Sequence, residues 1–173
     1  VRYLDMPMHQ LSPPLHKHMN RRDSKDSIHE IISKLKNRIP GIYLRTTVMT
    51  GFPGETDEDF DKLLAFVKET RFERLGAFVY SREEGTPAYD LSDQVPEKLK
   101  RKRYELIMRE QRKIHAAINK ATVGKTLRVI NEGYDQVAER YYGRPFADAP
   151  DIDGKIYYSS PRRLRDGEFV NGL

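Results

Sequence analysis

The sequence predicts an α/β fold that gives way to a small all-β module. Three observations carry this. Apolar, β-branched runs alternate with helix-period segments three times in the first two-thirds of the chain, as a parallel sheet with crossover helices requires. After Val123 and Gly124 the helical period stops, and short strand-like runs separated by Gly, Asn and Asp take over. Two of the strand-like runs break into glycine-bearing turns, "TGFPGE" after the second and "SREEGTPAY" after the third.

The elements follow in order. "YLDMPM" (Tyr3 to Met8) is a short apolar run interrupted by Pro7, which reads as a strand and its end. Ser12, Pro13 and Pro14 suit a helix start, because proline is tolerated in the first turn. Ser24 can cap the next helix, whose positions Ile28, Ile31, Ile32, Leu35 and Ile39 keep helical spacing. Pro40 and Gly41 end it. "IYLRTTVMT" is the second strand. Thr56, with Asp59 three residues on, opens a helix in capping-box fashion, and Phe60, Leu63, Leu64 and Val67 form its apolar stripe. "RLGAFVY" (Arg74 to Tyr80) is the third strand, and Ser81 to Pro96 a long polar loop. A long helix from Glu97 to Ala121 puts Tyr104, Ile107, Met108, Ile114 and Ile118 on one face and crowds the other with Lys and Arg. "KTLRVIN", "YDQVAERYY" and "GKIYYSS" read as strands of the second module. The division is therefore residues 1–121 and 123–173. Starting at Val1 in a strand-like run and stopping on "GEFVNGL", the chain reads as a piece of a longer protein.

Composition bounds the function. The 173 residues are 38% hydrophobic and 33% charged, and no stretch approaches the ~20 apolar residues of a membrane span. Lys and Arg number 31 against 26 acids, giving +5, a balance that favours polyanionic partners such as RNA or ribosome. There are no cysteines, which excludes disulfides and thiolate-bound metals within these residues. The five histidines (His9, His16, His18, His29, His115) show no spacing with carboxylates that makes a metal site and read as surface residues.

In parallel α/β architectures ligands sit at the carboxyl ends of the strands. "TGFPGE" lies at such an end, where glycine lets the backbone approach a ligand. It lacks the Lys-Ser/Thr of a phosphate-binding loop. "VYSREEGTPAY" ends the next strand in the same way, and "MPMHQLS" supplies a third rim segment with His9 and Gln10.

Taken together, "YLDMPM", "MNRR", "IPGIYLRTTVMTGFPGETDEDF", "FERLGAFVYSREEGTPAY", "DQVPEKLKRKRYELIM" and "VGKTL" resemble the methylthiotransferase family of radical S-adenosylmethionine (SAM) enzymes, over nearly the whole chain. "GRPFADAPDIDGKIYY" is similar to the branch that modifies an aspartate in protein twelve of the small ribosomal subunit. The resemblance implies the later half of a radical-SAM (β/α) barrel followed by a truncated TRAM domain, an OB-like β-barrel. It implies SAM and two 4Fe-4S clusters, held by cysteines of the full-length enzyme outside this chain, and a cytoplasmic enzyme whose substrate is a ribosomal protein. A tRNA adenosine-37 methylthiotransferase of the same family, or a non-catalytic ribosome- or RNA-binding module, are the competing readings. For the adenosyl group it implies Gly51 and Glu55 in the "TTVMTGFPGE" segment, Thr47 along the wall, Tyr80 and Ser81 at the adenine edge, Gln10 at the ribose and Arg45 pairing with a carboxylate. Relatives read Pro-x-Gln-His where this chain has Pro7-Met8-His9-Gln10, so His9 is the alternative ribose contact.

Overall fold

Tyr3–Asp5 (β1), Tyr43–Thr50 (β2) and Arg74–Val79 (β3) pair in parallel, in the order β1-β2-β3, in the computed structural model, which describes residues 2–20 and 25–172. The register sets Asp5 beside Arg45 and Arg45 beside Arg74; further along, Thr47 lies beside Gly76 and Met49 beside Phe78. Helices fill the connections: Pro13–His18 (α1) and Lys25–Arg38 (α2) between β1 and β2, and Asp57–Thr70 (α3) between β2 and β3. Glu97–Thr122 (α4) follows β3 after a single 3-10 turn at Pro87–Asp90. Parallel strands need such crossovers, and the helices bury one face of the sheet.

Strict burial alternation along β2 says which face that is. Leu44, Thr46, Val48 and Thr50 are buried, whereas Tyr43, Arg45, Thr47 and Met49 are half-buried. Leu44 and Val48 join one core with Ile28, Ile32, Phe60, Leu63, Phe66, Val67, Phe72, Leu75, Ile107 and Ile114. The other face of the sheet, carrying Arg45, Thr47 and Met49, is open.

Several sequence expectations change in detail. Ile31 is exposed, because the inward stripe of α2 runs through Ile28 and Ile32. Phe66, absent from the expected stripe of α3, is among its most buried residues. His16 is buried as well, its Nε2 hydrogen-bonded to the Gln10 carbonyl, so it is not a surface residue. The Ser24 cap lies outside the described residues.

The capping box of α3 is present in full. The Thr56 hydroxyl accepts from the Asp59 amide at 3.1 Å, and the Asp59 carboxylate accepts from the Thr56 amide at 3.1 Å. Burial works to raise the Asp59 carboxyl, but hydrogen bonds from Ser12 and Thr56 outweigh it and hold it below the usual 3.8. Its native pKa being depressed, its stabilising contribution is present above that value and is lost as pH falls through the native one. Thr56→Ala is expected to cost about 1 kcal/mol in urea unfolding, the typical loss for a capping hydroxyl.

The chain divides into two compact units, Val1–Ile118 and Asn119–Leu173. The second is an antiparallel sheet of Leu127–Asp135 (β4), Arg140–Pro145 (β5), Ile156–Tyr158 (β6) and Phe169–Gly172 (β7), in the order β6-β5-β4-β7. "YDQVAERYY", expected as one strand, is the tip of a hairpin: the Asp135 carboxylate accepts from the Val137 and Ala138 amides and turns the chain between β4 and β5.

Asn131 on β4 is the polar centre of this unit. Its amide side chain donates to the Arg165 carbonyl at 3.1 Å and accepts from the Tyr158 hydroxyl at 2.6 Å. Its backbone N–H donates to the Glu168 carbonyl, and its carbonyl accepts from the Gly167 N–H. One residue thereby joins β4, β6 and the segment entering β7. Asn131→Ala removes both side-chain bonds, leaves the Tyr158 hydroxyl and the Arg165 carbonyl without this partner, and is expected to destabilise the second unit by about 1–3 kcal/mol in urea unfolding.

Candidate functional site

The bends after β1, β2 and β3 lie at one end of the sheet. The His9 amide donates to the Thr47 carbonyl at 2.9 Å and the Met49 amide to the His9 carbonyl at 2.8 Å, so the segment after β1 runs alongside β2. The Tyr80 amide donates to the Thr50 carbonyl at 2.9 Å, which holds the end of β3 against the end of β2. His9 has φ +62, a strained left-handed conformation for a side-chain-bearing residue, and its ring meets Phe78 edge-on at 5.8 Å.

Glu55 is the knot of this end. Its side chain is fully enclosed. Oε1 accepts from the Gly51 amide at 3.0 Å and from Arg103 Nη1 at 2.6 Å, and Oε2 accepts from Gln10 Nε2. Arg103 Nη1 also reaches the Glu55 carbonyl at 3.1 Å, and Nη2 reaches Asp57 at 2.7 Å. Burial pushes the Glu55 carboxyl above its usual 4.5, against the downward pull of the Gly51 amide and the Arg103 guanidinium. Gln10 is completely buried, its amide engaged by Glu55 and by the Met49 carbonyl at 2.9 Å. The Glu55 carboxylate and the Gln10 Nε2 are thus occupied by protein partners, whereas the buried Gln10 Oε1 has no hydrogen-bond partner among the described residues. Both side chains are turned into the loop structure, and His9 is the neighbour of the open-face residue Phe78.

Gly51 meets a protein neighbour at this end as well. With φ +76 it adopts a backbone that favours glycine, and a Cβ there would come within 2.2 Å of Lys100 Cγ. Its bare backbone admits a lysine stem of α4. Lys100 Nζ donates to the Tyr80 carbonyl at 3.1 Å and lies 4.9 Å from the Tyr80 ring centre. Lys100 and Arg103 thus leave the basic solvent face expected of α4; both are buried on the inward stripe with Ile107, Gln111 and Ile114. The spacing 100, 103, 107, 111, 114 was the signal that could have found them, since it follows one helical face.

Of the remaining candidates, Arg45 and Thr47 share the open face of β2, where Arg45 Nε donates to the Tyr3 hydroxyl at 2.6 Å. Ser81 is exposed and donates to Glu83 at 2.6 Å. Tyr80 is buried with Leu15 and Phe52 in a small apolar cluster that Met19, Met49, Ala88 and Leu91 adjoin. Among the described residues its hydroxyl has no hydrogen-bond partner. A few polar groups against an apolar wall is the usual make-up of a small-ligand site, and the unpartnered Tyr80 hydroxyl beside Met49 fits an adenosyl group. Iron–sulfur clusters do not fit the residues present: the chain has no cysteine, and among the described residues no group of three or more His, Asp or Glu could hold a metal ion. Among the described residues no helix is long and apolar enough to cross a membrane.

Known proteins match this arrangement. The radical SAM superfamily model matches residues 1–67 and the TRAM domain model residues 123–172. A protein of Geotalea uraniireducens named ribosomal protein uS12 methylthiotransferase RimO is 51% identical over 160 residues, covering 92% of this chain and 36% of the relative. Proteins of the same name from Caldanaerobacter subterraneus and Carboxydothermus hydrogenoformans are 46% and 44% identical, covering 98% and 100% of this chain and 38% and 40% of the relatives. The chain therefore spans well under half the length of these relatives. Among solved structures, the radical SAM enzyme coproporphyrinogen III oxidase (HemN) from Escherichia coli aligns with a TM-score of 0.51 at 18% identity, over 69% of this chain and 27% of that one, a likeness of fold. The open three-stranded parallel sheet is thus the fold of a radical SAM segment, and with the TRAM segment that follows it in sequence the chain is similar over nearly its whole length to the matching part of these methylthiotransferases.

Proposed function

We propose that this chain is the adenosyl-binding and substrate-docking portion of a methylthiotransferase that modifies ribosomal protein uS12, at the β-carbon of an aspartate. Residues 1–121 are the later half of the radical-SAM barrel and residues 123–173 a partial TRAM domain, working in the cytoplasm. The observation that carries this reading is the convergence of three strand-end bends beside an open sheet face, joined by the Met49–His9 and Tyr80–Thr50 backbone bonds. The names of the relatives support the substrate.

SAM supplies the hydrogen-abstracting and methyl-donating chemistry when bound, together with two 4Fe-4S clusters whose ligands are not in this chain. This chain's own residues shape the pocket. Thr47 and Met49 line the open face, and the buried Tyr80 hydroxyl offers a donor to a polar edge of the adenosyl group. The Gly51 turn forms the rim, held closed by Glu55 and Gln10, and Ser81 extends it beyond Tyr80. Arg45, farther down the same face beside Tyr3, is placed for a carboxylate. The apolar cluster of Leu15, Phe52 and Tyr80 keeps water from that end.

A second reading, contact with RNA or the ribosome, is favoured by the second unit, where exposed Tyr157 and Phe169 line a depression with Arg140 and Arg162. One experiment separates the substrates. This chain replaces the matched segment of the Geotalea uraniireducens relative, and the chimera is expressed in a strain lacking its own methylthiotransferases. Mass spectrometry is expected to find methylthio-aspartate in uS12. Modification of tRNA adenosine alone would move the substrate to tRNA, and a soluble, cluster-loaded chimera that modifies neither would overturn the enzymatic reading.

A further inference from the structure

We propose that Lys100 is a positioning residue for the adenosyl rim, acting through Gly51 and Tyr80 to set the spacing between the ends of β2 and β3. The proposal rests on the adenosyl-binding reading above.

The inward stripe of α4 changes character along its length. Ile107 and Ile114 meet the core, but one and two turns earlier the same stripe carries Arg103 and Lys100, both buried. Removing a cation from water is costly, and an apolar side chain of similar volume would pack there without that cost. Arg103 has an ionised partner in Glu55. Lys100 has much less. Its ammonium donates to one neutral carbonyl, that of Tyr80, and lies 3.7 Å from Glu97, whose side chain is mostly exposed. Core packing alone does not account for a lysine here.

Its contacts do. The stem occupies the space beside Gly51 that any Cβ would fill. The ammonium holds the Tyr80 carbonyl, and the Lys100 carbonyl accepts from the Thr50 hydroxyl at 3.3 Å. One residue therefore touches the last residue of β2, the turn after it and the residue that follows β3. Tyr80 is fixed from both sides, by Thr50 at its amide and Lys100 at its carbonyl. That fixes its ring, whose centre is 5.3 Å from that of Phe52, and with it a hydroxyl that has no partner among the described residues. Loss of the ammonium unpairs a buried carbonyl and frees the end of β3 to shift against β2.

The test uses the whole chain with 13C-methyl methionine, titrated with 5′-deoxyadenosine. Met49 and Met19 adjoin the cluster that holds Tyr80, and Met108 packs against the main core as the internal control. In the wild type the Met49 methyl is expected to move saturably while Met108 stays. Lys100→Met keeps the stem and removes the donor; with the end of β3 released, it is expected to weaken binding about tenfold. Lys100→Gln, which retains an N–H donor, is expected to recover most of that. Equal affinity in the wild type and K100M, or equal loss in K100M and K100Q, overturns the proposal. A second measurement needs no variant and covers a K100M chain that fails to fold: the Lys100 15Nζ resonance of the wild type shifts in step with Met49, and its standing still overturns the proposal too. A wild-type Met49 that does not move at saturating nucleoside overturns the adenosyl-binding reading itself, and this proposal with it.

Discussion

Arg103→Met is expected to destabilise the first unit by about 3–5 kcal/mol, the usual result of removing one partner from a buried ion pair. The side chains of Glu55 and Arg103 are almost wholly enclosed, and the guanidinium makes three hydrogen bonds to the turn it closes: to the Glu55 carbonyl, to the Glu55 carboxylate at 2.6 Å and to Asp57. A domain of this size has only about 5–15 kcal/mol in hand, so the variant sits near its unfolding midpoint in modest urea. Glu55→Gln added to Arg103→Met removes the stranded charge and is expected to recover part of the loss, because the two residues share one network. The pH dependence follows from the raised Glu55 carboxyl. Its native pKa lies above the unfolded one, so its stabilising contribution is complete below 4.5 and is lost as pH rises through the native value. Without Arg103 the carboxyl has less reason to ionise, and the Arg103→Met deficit is expected to be largest at neutral pH and to shrink on acidification. A deficit that stays constant between pH 7 and pH 4.5 would show that charge burial is not its cause.

Gly51→Ala is the second large effect. Two costs coincide: the left-handed backbone at φ +76, about 1–2 kcal/mol for a residue with a Cβ, and the collision with Lys100 at 2.2 Å, about 1–3 kcal/mol as overpacking. A loss of about 3 kcal/mol is expected in urea unfolding. The lysine is the obstacle, so Gly51→Ala is expected to be milder on a Lys100→Ala background, where the Cγ and Cδ that the new methyl meets are gone. A loss below about 1 kcal/mol in the single variant would contradict both the φ and the contact.

The strand–helix alternation, the Thr56–Asp59 capping box and the switch to short strands after Gly124 were legible in the sequence because each is a local pattern with a local cause: β-branched runs, a side chain that caps its own helix, and turn residues at strand spacing. What was missed depended on partners distant in sequence; the spacing of Lys100 and Arg103 marks the inward face of α4 but not what they meet there. "EKLKRKRYE" reads as a solvated basic run, and five of its neighbours do face water: Lys98, Arg101, Lys102, Arg109 and Arg112. Lys100 and Arg103 turn inward because Glu55, Tyr80 and the bare Gly51 lie there, 20 or more residues away in each case. His16 is drawn in by the Gln10 carbonyl, which no helical periodicity announces. The glycine turn "TGFPGE" was recognisable as a place of close approach, but what approaches it from α4 was not. Gln10 and Glu55 bind each other, and the alternation of β2 leaves Thr47 and Met49 on the open face, with His9 against Phe78.

Photolabelling with an 8-azidoadenosine derivative of S-adenosylhomocysteine, followed by peptide mapping, tests most directly whether the strand ends form an adenosyl pocket. Label is expected in the peptides that contain Thr47 to Phe52 and Phe78 to Ser81, and to be displaced by unmodified S-adenosylhomocysteine. Label confined to residues 123–172, or spread along the chain without competition, would contradict it.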